Sequence, residues 1–315
     1  MNLSVPKSPL TSKSNTVNLR KLSAKKVCEE WSKVFGINVS DQLTKIETIY
    51  HWKCLETNFE WYTPAEAAGD GLLYQQLQKF PWYYMSDKWE FHAALDYIQP
   101  SEKVLEVGIG GGSFLQLARQ KGIDIEGIEI NPEAIKNARD LGFSIYPLSI
   151  DDFLNQYPHQ KYDAICSFQV VEHIPEPILF LSKLIDTLKP GGKLILSVPN
   201  AEVLRKLDPY YENLLDQPPH HMSHWSKRVF CYLPKALPLE VIDLVEEPLQ
   251  SYHVEWFVIG YFRALLKTKL RVPSLACRLI ANYVTLSPIN LLLKLGTRRL
   301  LPGHTLLAVL TKKAP

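Results

Sequence analysis

The residues best equipped for chemistry sit in two short segments. The first is Glu106-Val-Gly-Ile-Gly-Gly-Gly112, followed by Ser113. Apolar Val104, Leu105 and Val107 around Glu106 predict a buried strand. The glycines at 108, 110 and 112 then make a turn almost without side chains. Glycine accepts positive φ and has no Cβ, so backbone N–H groups in such a turn can approach a ligand closely. A helix follows, with Phe114, Leu115, Leu117 and Ala118 at apolar spacing, and its N-terminus adds partial positive charge. The second segment is Asp216-Gln-Pro-Pro-His-His-Met-Ser-His-Trp225, with three histidines in five positions. Imidazole titrates near neutral pH, so it can take a proton from a hydroxyl. His220 and His221 are therefore candidates for a general base or a substrate orienter. Two other readings stay open. His220 and His224 would share a helix face and could hold a metal, but no Cys or further acid stands close by to complete a ligand set, so no metal is expected. The prolines could also make a rigid loop whose histidines only bond backbone.

The elements that must position these groups follow in order. Ile123–Ile130 alternates as a strand does and brings Glu129 to its end. A carboxylate there can accept protons from both hydroxyls of a ribose. Asn131 and Pro132 predict a helix start, with Asn as cap and Pro in the first turn. Phe143–Leu148 predicts a third strand, with Asp151 and Asp152 after it. Residues 162–177 predict a fourth strand and its turn, and residues 188–200 a turn into a fifth. Strands alternating with helical stretches make a parallel βαβ series.

The motif Glu-x-Gly-x-Gly-x-Gly resembles the first motif of class I S-adenosylmethionine (SAM) methyltransferases. A dinucleotide fingerprint would require glycine at 113, where Ser113 stands. Tyr162–Pro177, with Glu172-His-Ile-Pro-Glu-Pro177, and Leu188-Lys-Pro-Gly-Gly-Lys193 onward resemble the family's fourth and fifth strand regions. The resemblance implies an α/β fold: a Rossmann-like sheet of seven strands, the last antiparallel. It implies SAM held by Glu106, Gly108, Gly110 and Gly112 at the methionine end, Glu129 at the ribose, and Asp151 or Asp152 at the adenine, with Gln169 joining the set. His173 is expected to order the turn beneath the cofactor, with Glu172 as its cap. The His-rich segment resembles an Asp-x-Pro-Pro-His-His-x-x-x-Trp motif of a bacterial subgroup, which implies O-methylation of a sugar, a glycan precursor or a similar metabolite. A quinone or lipid O-methyltransferase is the alternative enzyme, and a non-catalytic SAM-binding scaffold the alternative of another class.

Composition is compatible with this. The chain has 315 residues and 46% hydrophobic content, enough for one large domain with additions. Its five cysteines are odd in number and widely spaced, which fits a reducing, cytoplasmic setting. No leader and no membrane span are expected. Residues 1–22, polar and free of acids, are expected as a disordered tail, and 23–100 as a helical, aromatic cap. The SAM-binding domain is expected over 101–315, interrupted at about 253–302 by a helical insertion between strands six and seven. After Glu255 the chain carries ten Lys and Arg and no acid, although its formal net charge is only +2. Such an insertion suits an anionic membrane surface, a pocket for a phosphorylated or lipid-linked acceptor, or a solvated helical cap. Nucleic acid is not expected, because the cations alternate with Leu and Ile rather than stacking aromatics.

Overall fold

The computed structural model describes residues 5–314. The chain opens with strand β1 (Thr16–Ser23), helices α1 (Ala24–Phe35) and α2 (Ser40–Leu43), strands β2 (Thr48–Cys54) and β3 (Glu60–Thr63), and helices α3 (Gly71–Leu77) and α4 (Trp89–Leu95). It then alternates through β4 (Lys103–Val107), α5 (Ser113–Gln120), β5 (Asp124–Ile128), α6 (Pro132–Asp140), β6 (Ile145–Tyr146), α7 (Ile150–Gln156), β7 (Tyr162–Phe168), α8 (Pro177–Thr187) and β8 (Leu188–Pro199). After α9 (Ala201–Leu207), β9 (Ser223–His224), α10 (Lys227–Ala236) and β10 (Leu239–Pro248), three helices follow: α11 (Val254–Thr268), α12 (Ser274–Ile280) and α13 (Ser287–Lys294). Strand β11 (Pro302–Lys312) closes the chain.

Seven strands form the main sheet in the order β10-β11-β8-β7-β4-β5-β6. The pairs β4–β5, β5–β6, β4–β7 and β7–β8 are parallel, and β11 runs antiparallel to both neighbours. This is the Rossmann-like class I arrangement that the βαβ series implies. Val104 and Leu105 of β4 and Ala164–Cys166 of β7 are fully buried, because helices cover both faces of a parallel sheet. The insertion between β10 and β11 is helical, as its length requires. Asn131 caps α6 by accepting from Glu133 N at 3.0 Å, with Pro132 in the first turn.

The N-terminal region departs from expectation. Residues 16–22, expected within a disordered tail, lie in β1, which pairs antiparallel with β2 from Thr16↔Cys54 to Ser23↔Thr48. Leu10 is buried in the core, and residues 1–4 lie outside the described residues. The cap is not purely helical either: β1, β2, β3 and β9 form a four-stranded sheet. The β-branched and aromatic run Thr48-Ile-Tyr-His-Trp52 suits a pleated, half-buried surface. Its partner β1 alternates half-buried and exposed residues, so its composition reads as polar tail while its backbone is paired. The fourth strand of this small sheet is supplied from far along the chain, where Ser223 and His224 pair with Trp61 and Glu60. Trp225, next in sequence, bridges to Asn200 at the end of β8. The His-rich segment is thus stitched between the cap sheet and the main sheet.

Candidate active site

The connections run from β4 outward to β5 and β6 on one side, and through β7 and β8 on the other. Between β4 and β7 the order reverses, and in open α/β sheets ligands bind in the crevice at that point, beyond the carboxyl ends of the strands. A cavity of about 760 Å³ lies there. Glu106, Gly108, Gly110, Ser113, Glu129 and Gln169 line it, as do His173, His220 and His221.

The glycine turn behaves as its composition requires. Gly108, Gly110 and Gly112 have φ of +80°, +50° and +73°. A Cβ on Gly108 would stand 2.6 Å from Val170 Cγ2, and one on Gly110 would stand 3.2 Å from the Tyr84 ring. Gly112 caps α5 and does not line the cavity. Glu129 Oε1 accepts from Ile130 N and Asn131 N at 2.8 and 2.9 Å, and Oε2 accepts from Gly110 N at 3.2 Å. These bonds aim the carboxyl group across the turn. Glu106 is buried, and its Oε2 has no partner among the described residues. Burial, and then Glu129, push the Glu106 pKa well above the carboxyl range. The turn, the aimed Glu129 and the unpartnered Glu106 fit the ribose and amino-acid ends of SAM: hydroxyls to donate, an ammonium to donate, and space that a side chain would fill.

Gln169 holds the end of β7 at φ +55°, donating from its N–H to Ser197 O at 2.9 Å. Asp151 and Asp152 are elsewhere. Asp151 Oδ1 pairs with Lys183 Nζ at 2.6 Å, Asp152 Oδ2 accepts from Ser149 Oγ at 2.7 Å, and neither lines the cavity. They complete the first turn of α7, where acidic residues favour the helix dipole.

The histidines fall into two sets. His173 Nδ1 lies 2.6 Å from His220 O, and His220 Nδ1 lies 2.8 Å from Leu215 O. Carbonyl oxygens only accept, so both Nδ1 atoms carry the proton. His220 Nε2 is then an acceptor for Tyr83 OH at 3.1 Å. His221 Nδ1 faces Asp216 Oδ1 at 3.3 Å, which leaves its Nε2 lone pair free. Burial, then the neighbouring rings, lower His173 to about 3 and His220 well below the imidazole range. Burial also lowers His221, and Asp216 offsets part of that. His173 does tie the turn after β7 to the His-rich loop. Glu172 does not cap that turn: its carboxyl oxygens have no partner among the described residues, and burial raises it to about 8.

The second set lies behind the first. His224 Nδ1 is 3.2 Å from Glu60 Oε2, and its Nε2 is 3.3 Å from Asp216 Oδ1. Arg205 Nη2 donates to Asp216 Oδ2 at 2.7 Å, and His51 Nε2 lies 3.2 Å from Glu60 Oε2. Burial opposes charge at His224, but Asp216 and Glu60 outweigh it and raise the pKa to about 9. Burial likewise opposes ionisation of Asp216, yet His224 and His221 hold it well below the carboxyl range. His220 and His224 do not share a helix face, because His220 stands in a turn and His224 in strand β9. Sequence reasoning missed Glu60, His51 and Arg205, which no local motif marks. It also missed Glu90, Tyr252, His253 and His304, which line the cavity.

Comparison with known proteins identifies the family. Residues 78–244 match a family model described as a methyltransferase domain. A ubiquinone biosynthesis O-methyltransferase of Xanthomonas campestris is 32% identical over 58% of this chain and 80% of its own length. A 2-methyl-6-phytyl-1,4-hydroquinone methyltransferase of Synechocystis is 31% identical over 52% of this chain, and the match spans only 52% of that relative's length. A solved SAM-dependent methyltransferase from Archaeoglobus fulgidus superposes with a TM-score of 0.47 at 21% identity, over 71% of this chain and 91% of that one. The matched domain contains the glycine turn, Glu129 and the His-rich loop, and one relative aligns over four-fifths of its length: the chain belongs to the methyltransferase family and is a SAM-dependent enzyme.

Proposed function

We propose that the protein O-methylates a hydroxyl on an apolar ring-bearing acceptor of the quinol class, with His221 as the base. The observation that carries this is the cavity wall. Beyond the cofactor cradle the rings of Tyr74, Trp82, Tyr83, Phe91, Tyr252 and Trp256 line it, with Lys88, Glu90, Glu172, His253 and His304 among them. Apolar walls with a few convergent polar groups select a flat hydrophobic ligand. A sugar or glycan precursor is the acceptor implied by the subgroup resemblance, and the number of rings in the wall favours a flat apolar acceptor over it. The names of the two curated relatives support the same choice.

Bound SAM supplies a methyl group on a sulfonium, which is a good leaving group, so the protein must align, exclude water and move one proton. Glu129 orients the ribose, while Glu106 and the N–H groups of the glycine turn hold the amino-acid end. His221 is better placed than His220 to act as base, since Tyr83 already occupies His220 Nε2. As the acceptor oxygen bonds to the methyl carbon and the carbon–sulfur bond breaks, the hydroxyl proton passes to His221 Nε2. Asp216 holds the ring by Nδ1 and stabilises the imidazolium, the division of labour of an acid–histidine pair. His220 orders the loop.

Two measurements test this. Calorimetric titration of SAM should give tenfold or weaker binding for Glu129→Ala, since the ribose loses a charge-assisted hydrogen-bond partner. An unchanged Kd removes Glu129 from the site. Turnover with a labelled methyl donor and a short-chain catechol or quinol should fall about 10²-fold or more for His221→Ala, with SAM affinity kept. Equal rates for wild type and variant would sink the base assignment. A quinol acceptor partitions into bilayers, so this reading also sends the enzyme to a lipid surface.

A further inference from the structure

We propose that the helical insertion α11–α13 is a docking face for an anionic lipid bilayer, and that α11 leads from that face to the cavity. The docking face stands on the insertion alone; the delivery of acceptor along α11 rests on the apolar acceptor proposed above.

Exposure is the first observation. Among the described residues, 13 of the 27 exposed large hydrophobic side chains fall within residues 252–300, under one-fifth of the chain. Leu275, Leu279, Val284, Leu295 and Leu300 are each at least 70% exposed. The helices are nonetheless folded: Val254, Val258, Ala281 and Leu286 pack with Leu249 into their own small core. The exposed aliphatics are what remains on the outer side. Monomeric proteins seldom leave so large an apolar patch bare unless it meets a partner or a membrane.

Charge selects among partners. Eight Lys and Arg stand between 253 and 302, with Glu255 the only acid. Lys267 pairs with Glu212 and Lys294 with Glu255. Lys269, Arg271, Arg278 and Arg299 are exposed, with no ion-pair partner among the described residues. A second copy of this chain on the same face would bring these cations against one another. Nucleic acid would want exposed aromatics for stacking, and the patch is mainly Leu, Ile and Val. Aliphatic side chains flanked by unpaired cations match the acyl–headgroup boundary of an anionic leaflet. Among the described residues no helix is long and apolar enough to cross a membrane, and the contact proposed is a peripheral one.

The turn before α11 and the first turn of that helix connect this face to the chemistry. Tyr252, His253 and Trp256 line the main cavity. Trp256 also lines a neighbouring groove of about 400 Å³, where Arg263, Lys267 and Arg278 stand beside Ile259 and Ala264. Asp208 and Glu212 line it too, and Glu212 engages Lys267, which leaves Arg263 and Arg278 over the apolar floor to meet a lipid phosphate.

Vesicle flotation of the full chain tests the face. At low salt it should float with phosphatidylcholine vesicles containing one-third phosphatidylglycerol, and not with phosphatidylcholine alone. Each cation removed from an anionic surface costs about fivefold in affinity, so Arg271→Gln with Arg299→Gln should weaken binding about 25-fold. Leu275→Asp with Leu295→Asp should abolish it. All of these side chains are exposed, and SAM titration of each variant checks that the fold persists. Failure to float with anionic vesicles at low salt overturns the proposal. So does flotation that both double variants leave unchanged, or a dimer that Leu275→Asp with Leu295→Asp dissolves while vesicle binding stays intact. Turnover of a detergent-dispersed quinol, measured alongside, separates failure of the docking face from failure of the acceptor assignment.

Discussion

His221 and His224 stand three residues apart, and the fold gives them opposite protonation. His221 belongs with His173 and His220, whose rings face the cavity. Backbone carbonyls fix the Nδ1 protons of His173 and His220, and burial keeps the rings neutral. His224 belongs with Glu60, Asp216, His51 and Arg205 at the seam between the cap sheet and the main sheet. There two carboxylates face one imidazole, and its proton is retained to about pH 9. Burial is the same in both sets, so it does not decide the charge. Two carboxylates on one ring do: His224 has both Asp216 and Glu60, whereas His51, with Glu60 alone and His224 beside it, is pushed down to about 4. Asp216 touches both sets through one oxygen, within 3.3 Å of His221 and of His224. It couples the seam that holds the cap to the ring we assign as base.

That coupling is the place to break the contrast. Asp216→Ala leaves Arg205 and a charged His224 buried without their partner. Removing one member of a buried ionic set costs about 3–5 kcal/mol, and urea unfolding should show this loss. The same variant should lower turnover by freeing the His221 ring. A variant with wild-type stability would mean that the network carries no charge.

The next effect is a pH dependence of opposite sign at His224 and at His173. The folded pKa of His224 lies above the ordinary imidazole value of 6.5. Its contribution is therefore whole below about pH 6.5 and fades as pH rises through 9, by about 3 kcal/mol in all. His173, lowered to about 3, works the other way: its neutral ring is favourable above pH 6.5, and stability falls as pH drops toward 3. Unfolding free energies measured from pH 5 to 10 should decline on both sides of neutrality. In His224→Gln the alkaline decline should shrink to what the raised carboxyls of Glu172 and Glu106 contribute, and the acid one remain. An alkaline limb of undiminished slope in that variant would assign the proton to another group.

Tyr83→Phe is the smallest of these effects. It removes the hydroxyl that donates to His220 Nε2 and should cost about 1 kcal/mol, with SAM affinity unchanged. If turnover also fell 10²-fold, His220 and not His221 would be the base, and the contrast between engaged and free Nε2 atoms would lose its meaning.

Much of the cradle was legible in the sequence because its requirements are local. Three glycines at alternate positions, an acid two residues before them and Glu129 at the end of the next strand are dictated by backbone conformation and strand length. The cap was less legible. Residues 16–22 are polar on alternate positions, and only pairing with β2 distinguishes such a strand from a tail. Asp151 and Asp152 show the opposite error: they follow the third strand at the expected place, but Lys183 and the start of α7 engage them.

By itself, then, the sequence determined the order of strands, the cofactor class and the segments from which a reaction site could be drawn. Local propensity, apolar periodicity and glycine spacing are enough for that. Only the tertiary structure decided which of three neighbouring histidines holds a proton, and which offers a free nitrogen to the cavity. It also decided that the insertion turns its leucines outward. Protonation and exposure depend on groups brought from Glu60, Arg205 and Leu249, far apart in the chain, and no local pattern records who the neighbours will be.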